Sequence, residues 1–333
     1  METARGGATP GENLTVGALL QAGSERLRAA GSESARLDAE LLLAYVVGID
    51  RTGVIAHSGA RVSGAQAAAF DAALERRAAG EPVAYVRGIK EFYGLVFSVD
   101  PRVLIPRPET ERLVELAVQR VREELTGAPR PAESEPFRIW DVGTGSGAIA
   151  VAMTATLRKR GYGGSFHLIA TDVSRDALAV AVENAVSHGV ADAMDFLAAD
   201  LLEADPPLPF RVDLIVANLP YIPSATVPAL PVAASFEPEG ALDGGPDGLA
   251  ILRRLLSQLP GALAPDGQVL LEIGGDQDAA IAEAAAALLP GWIVTIHSDL
   301  SGAPRVAQLD PPVATQTPTS ASMSDAQVPP GRG

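Results

Sequence analysis

The chain has no cysteine among its 333 residues. That excludes disulfides, a thiolate nucleophile and any cysteine-ligated metal, and it fits a reducing compartment. Histidine is scarce and scattered: His57, His167, His188 and His297 are read as surface or packing residues, so no histidine-based catalytic centre or metal site is expected. Aromatic residues make up only 5%. No apolar run approaches the ~20 residues of a membrane span. The first thirteen residues are polar and glycine-rich and lack the apolar stretch of a secretory signal. Together these absences predict a cytoplasmic protein with no membrane association. Positive charge is also short, with 26 Lys and Arg against 41 Asp and Glu and a formal net charge of −15. Residues 1–90 are balanced, so the whole excess lies in residues 91–333. An acidic body repels phosphate, which disfavours stable nucleic-acid binding but suits a small cationic ligand or a basic protein partner.

What is present is enough for a core. The hydrophobic fraction is 47%, and the length predicts two globular parts. Residues 1–90 read as helices. Thr15 can cap a first helix carrying Val16, Leu19 and Leu20. Ser34 can cap a second with Leu37, Leu41, Leu42 and Tyr45, and Ser63 a third with Ala67, Phe70, Ala73 and Leu74. Residues 83–108 form a connector, and Pro108 suits the first turn of the helix after it, which carries Leu113, Leu116 and Val121. From Arg138 apolar strands alternate with helices, ending in strands over 292–297 and 306–309. That alternation predicts an α/β fold, a mostly parallel sheet covered on both faces. Residues 126–136 read as a loop, and residues 311–333 as a disordered tail.

Three features carry chemistry. Gly143-Thr144-Gly145-Ser146-Gly147, with Asp141 before it, joins a strand to a helix, where glycines bring backbone against a ligand at a helix N-terminus. By themselves the glycines suit a nicotinamide cofactor or S-adenosyl-L-methionine equally. Asp172 ends the next strand, where a carboxylate can accept both ribose hydroxyls of an adenosine. Asp200 is a weaker candidate, and Leu201 beside it can lie against a flat base. Asn218-Leu219-Pro220-Tyr221 follows the apolar strand that ends at Ala217. A planar NH2 group is a poor nucleophile. The Asn218 oxygen and the carbonyl of Leu219 could accept its two N–H bonds and aim its lone pair at an electrophilic methyl. Pro220 restrains the turn, and Tyr221 offers a face for stacking. A sulfonium-bound methyl is already activated, so no general base is required. No Tyr-x-x-x-Lys or histidine-based hydride apparatus accompanies the glycine motif.

The chain resembles the class I adenosylmethionine-dependent methyltransferases, and more narrowly the release factor glutamine methyltransferases, the HemK/PrmC family, from about Asp38 to Leu309. The resemblance is carried by Asp38-Ala39-Glu40-Leu41-Leu42, Gly80-Glu81-Pro82-Val83-Ala84-Tyr85, Glu91-Phe92-Tyr93-Gly94 and Leu104-Ile105-Pro106-Arg107-Pro108-Glu109-Thr110. The glycine and Asn-Leu-Pro-Tyr motifs add to it, and so does Ala241-Leu242-Asp243-Gly244-Gly245. It implies a Rossmann-like class I methyltransferase sheet over 91–310, preceded by a small helical bundle over 1–90 that helps dock the substrate. It implies transfer of a methyl from S-adenosyl-L-methionine to the glutamine side-chain nitrogen of the Gly-Gly-Gln motif in class 1 peptide-chain release factors. Gly143 to Gly147, Asp172, Leu201 and Asn218 would then hold the cofactor, and Asn218 to Tyr221 would grip the glutamine. The family usually has proline where this chain has Leu219; the group needed there is a main-chain carbonyl, which leucine also supplies. Asn-Leu-Pro-Tyr also resembles nucleobase methyltransferases, so a nucleobase amino group, or the glutamine of ribosomal protein L3, is the alternative acceptor.

Overall fold

The computed structural model describes residues 14–127 and 135–312. The expected tail therefore lies outside the described residues apart from positions 311 and 312, as does most of the 126–136 loop.

Among the described residues the N-terminal part has five helices: α1 Val16–Ala29, α2 Ala35–Val47, α3 Arg51–Ala56, α4 Gly64–Ala78 and α5 Val83–Arg87. Their apolar faces meet in one core around Leu20, Leu27, Leu42, Leu43, Phe70 and Leu74. Two of the expected caps form. Thr15 accepts from the N–H of Ala18, and Ser63 with Gln66 makes a reciprocal capping box. Ser34 occupies the cap position of α2 but makes no cap bond; its hydroxyl donates to Asp38 Oδ1 at 2.8 Å. The hydroxyl is turned toward a buried carboxylate one turn away, which accepts its proton in a charge-assisted bond. Asp38 also takes Arg77 of α4 at 2.8 Å, and Glu40 takes Arg36 and Arg51, so the acids of the Asp-Ala-Glu string tie helices together. Leu37 and Tyr45 point to solvent. The inward face of α2 is set by Ala39, Leu42 and Leu43, so of the expected stripe Leu42 is in the core.

A hairpin, β1 Ile89–Phe92 and β2 Leu95–Ser98, follows, then α6 Glu111–Gly127 behind a single turn begun by Pro108. The rest alternates: β3 Phe137–Val142, α7 Ala148–Lys159, β4 Phe166–Asp172, α8 Arg175–Ser187, β5 Met194–Asp200, β6 Glu203–Ala204, β7 Val212–Ala217, α9 Ala250–Ala262, β8 Leu263–Glu272, α10 Asp278–Leu288, β9 Ile293–Ser298 and β10 Pro304–Asp310. The sheet order is β6-β5-β4-β3-β7-β8-β10-β9. Strands β5, β4, β3, β7 and β8 run parallel, whereas β10 slots antiparallel between β8 and β9. This is the class I methyltransferase sheet with a short extra edge strand.

Alternate residues feed opposite cores. Ile139, Leu168, Leu214 and Val216 pack under α6, α7 and α8, while Trp140, Ile169, Ile215 and Ala217 pack under α9 and α10. Both faces are buried, so the strands read as continuous apolar runs. Leu252, Leu255, Leu256 and Leu259 form the helical stripe by which α9 covers its face. Chain order runs outward from β3 to β5 and then returns to β7 on the other side of β3. That reversal leaves a crevice at the carboxyl edge of the sheet. Among the described residues, no helix is long and apolar enough to cross a membrane.

Candidate active site

Strand register lines up the chemistry. Val142 is level with Thr171 and Ala217, and Ala217 with Leu271. The residues that come next, Gly143, Asp172, Asn218 and Glu272, therefore stand in a row along the carboxyl edge. A cavity of about 420 Å³ opens there, within the range of small-molecule sites. Its wall includes Gly143, Thr144, Gly145, Ser146, Asp172, Leu201, Asn218, Leu219 and Pro220. Gly147 and Tyr221 are not on it, and neither is any histidine. Gly147 instead lets two helices approach: it has φ +77°, and a Cβ there would lie 3.1 Å from Ala181 of α8. Asn184 of α8, fully buried, ties the glycine loop to the hairpin by donating to the carbonyls of Ser146 and Ser98.

Asp172 is held by backbone alone. Its Oδ2 accepts from Gly145 N–H and its Oδ1 from Ser174 N–H, both at 2.9 Å. Burial pushes its carboxyl up, and these N–H groups work against that shift by stabilising the anion. Asp141, wholly buried beneath the loop, is pushed up to about 7 by desolvation, which the Thr144 hydroxyl bond at 2.7 Å opposes. The arginines on the wall are neutralised by carboxylates. Arg107 pairs with Glu237 at 2.6 Å, Arg254 with Asp200 at 2.7 Å, and Arg102 with Asp100 at 2.6 Å. Asp172 has no cationic partner among the described residues and gives the wall its unpaired negative charge. A Cβ built on Gly145 meets nothing within 4 Å, so backbone there faces open space. Open backbone, a fixed carboxylate at the end of β4 and an apolar Leu201 beyond β5 fit an adenosine bearing a cationic substituent.

Asn218 donates through Nδ2 to the Thr110 hydroxyl oxygen at 3.1 Å, and no donor among the described residues bonds its Oδ1. The amide oxygen is thus left as a free acceptor. Leu219 is 5% exposed, with Cδ2 against Gly143, where an added Cβ would lie only 2.8 Å away. Tyr221 packs into the core beside α9, and its hydroxyl donates to Glu272 Oε1 at 3.3 Å. Its own ionisation is pushed up to about 12 by burial and the neighbouring Glu272.

The turn after Tyr221 is braced from behind. Ile222 N–H donates to the Leu242 carbonyl, and Gly244 N–H to the Ile222 carbonyl. Gly248 lies against Tyr221 so closely that a Cβ would come 2.3 Å from its carbonyl oxygen. That oxygen accepts from Gln277 Nε2 at 2.9 Å. The Ala-Leu-Asp-Gly-Gly string is therefore the backing of the Asn-Leu-Pro-Tyr turn.

The family model for the PrmC N-terminal domain matches residues 18–88, the span of α1 to α5. The release factor glutamine methyltransferase of Moorella thermoacetica is 42% identical over 276 residues, 83% of this chain and 91% of that protein. The namesake from Bradyrhizobium diazoefficiens is 42% identical over 253 residues, 76% of this chain and 80% of its own. This chain belongs to the release factor glutamine methyltransferase family. A solved structure, the protein-(glutamine-N5) methyltransferase (release factor-specific) from Alicyclobacillus acidocaldarius, is 28% identical. It covers 65% of this chain and 99% of its own, with a TM-score of 0.36.

For this member of the release factor glutamine methyltransferases, sequence reasoning passed over Thr110, Gln277 and Glu272. Thr110 closes the Ile-Pro-Arg-Pro-Glu-Thr string, which had no assigned role. Glu272 does carry a sequence signal. It is a lone acid ending the apolar run Val269-Leu270-Leu271, the same position in β8 that Asp172 holds in β4.

Proposed function

We propose that this chain methylates the side-chain nitrogen of the glutamine in the Gly-Gly-Gln motif of class 1 peptide-chain release factors, using S-adenosyl-L-methionine. The observation that carries the reading is the Asn218 amide, whose nitrogen is engaged by Thr110 while its oxygen is left free. Bound S-adenosyl-L-methionine supplies a methyl already activated by its sulfonium. Asp172 accepts the ribose hydroxyls, the loop from Gly143 to Ser146 sets backbone against the cofactor, and Leu201 lies at the adenine. Asn218 Oδ1 and the Leu219 carbonyl accept the two N–H bonds of the target amide, so its nitrogen is held with the lone pair toward the methyl. Pro220 stiffens the turn that aligns the two acceptors. Unpaired acidity at Asp172 favours a cationic ligand. The helices α1 to α5 help dock the release factor.

The test is methyl incorporation from labelled S-adenosyl-L-methionine into a release factor. Incorporation is expected with the parent chain and is lost when the Gly-Gly-Gln glutamine is replaced. Label that persists after that replacement refutes the acceptor. Asn218→Ala should abolish most transfer and leave cofactor affinity in place, because its oxygen acts on the acceptor.

A further inference from the structure

An asparagine amide has nearly the same shape either way round, yet only one orientation presents an acceptor to a target NH2. Thr110 does not decide between them by itself. Its hydroxyl can accept from Asn218 Nδ2, as observed at 3.1 Å, or donate to Oδ1 in the flipped amide. What decides is where the single Thr110 proton goes.

We propose that Glu272 is a positioning residue that fixes the Asn218 amide with its oxygen toward the cavity, acting through the Thr110 hydroxyl. The inference rests on the methyl-transfer reading above. Glu272 is 1% exposed, at the carboxyl end of β8. Tyr221 covers Oε1, and Oε2 is buried without a hydrogen-bond partner. A buried anionic oxygen with no donor is costly, and ionised it can only accept. Thr110 lies close enough to stabilise the charged carboxyl. The carboxylate therefore draws the Thr110 proton, leaving a Thr110 lone pair for Asn218 Nδ2 and Asn218 Oδ1 for the substrate. A protonated Glu272 reverses this. It donates to Thr110, whose hydrogen turns to Asn218 and favours the flipped amide, so that donor meets donor at the target nitrogen.

The surroundings set when that reversal occurs. Arg305 of β10 attracts the carboxylate, Glu109 before α6 repels it, the hydroxyls of Thr110 and Tyr221 stabilise it, and burial outweighs them, pushing the group up to about 7. Protonation of Glu272 thus exchanges the two amide orientations.

The experiment compares the parent chain with Glu272→Gln, Thr110→Val and Thr110→Ser. It reads adenosylhomocysteine affinity by calorimetry, kcat and KM against a release factor across pH, and the Asn218 side-chain NH2 signals by NMR. Glu272→Gln is expected to lower kcat by roughly 10- to 100-fold, with cofactor affinity changed no more than about twofold, and to flatten the acid limb of the pH profile. Thr110→Val should match it, and Thr110→Ser should recover most of that loss. The Asn218 signals should follow a titration in the parent and not in Glu272→Gln. Parental kcat and pH profile in Glu272→Gln overturn the proposal, and so do Asn218 signals that ignore pH in the parent. Signals that titrate in a parent chain unable to methylate a release factor uphold the positioning role and overturn the proposed function.

Discussion

Replacing Asp172 by asparagine tests the cofactor end of the site with almost no change in shape. The parent carboxylate uses both oxygens on backbone, one for Gly145 N–H and one for Ser174 N–H, each at 2.9 Å. Asparagine keeps one oxygen and sets an NH2 where the other stood, facing an N–H. One backbone bond is lost, and the side chain can no longer accept both ribose hydroxyls. A hydrogen bond to a charged group is worth about 1.5–3 kcal/mol, and each ~1.4 kcal/mol is tenfold in affinity. The expected loss of adenosylhomocysteine affinity is therefore about 10- to 150-fold. The free protein should lose far less stability. Burial already opposes the Asp172 charge, so removing that charge offsets part of the lost hydrogen bond. Calorimetry with adenosylhomocysteine, alongside thermal melts without ligand, reads both quantities. Affinity within a factor of about three of the parent refutes the role assigned to Asp172. A melting loss that accounts for the whole change refutes the separation between fold and site.

Other substitutions probe the acceptor side. Gly248→Ala sets a Cβ 2.3 Å from the Tyr221 carbonyl at φ +76°; it should displace the Asn-Leu-Pro-Tyr turn and cut methyl transfer sharply while cofactor affinity holds, as activity and calorimetry together will show. Leu219→Pro keeps the carbonyl but removes a buried contact with Gly143; transfer should persist, with a stability loss of about 1–2 kcal/mol in denaturant melts. For Glu272 the folded carboxyl, at about 7, lies above its ordinary 4.5. Its contribution to stability is full below about pH 4.5 and is lost as pH rises through about 7, a difference of about 3 kcal/mol. Glu272→Gln should accordingly gain stability relative to the parent as pH rises from 5 to 8, measured by thermal melts across roughly that range. Ser63→Ala removes a capping box and should cost about 1 kcal/mol with no effect on transfer.

Much of the architecture was legible because it rests on local pattern. The strand–helix alternation after Arg138, the turn begun by Pro108 and the caps at Thr15 and Ser63 follow from periodicity and from side chains within one turn. The short helices α3 and α5 were missed, being too brief to show a period. Ser34 failed as a cap because its competitor, Asp38, is itself drawn inward by Arg77 from another helix, a contact that spans 39 residues of sequence.

The glycine loop, Asp172, Leu201 and Asn-Leu-Pro-Tyr could be picked out in sequence because each ends a strand or follows directly on one. Parallel strands in register place the residue after each strand on one edge, so local position already implied proximity. The sequence alone therefore determined the class of fold, the chemistry on offer and the family resemblance. Tertiary structure alone decided which way that chemistry faces. The Asn218 amide meets the Thr110 hydroxyl, 108 residues earlier. Tyr221 is turned off the cavity wall toward Glu272, 51 residues later. Hydrogen-bond direction depends on where a proton is accepted, and that acceptor is brought near only when the sheet closes.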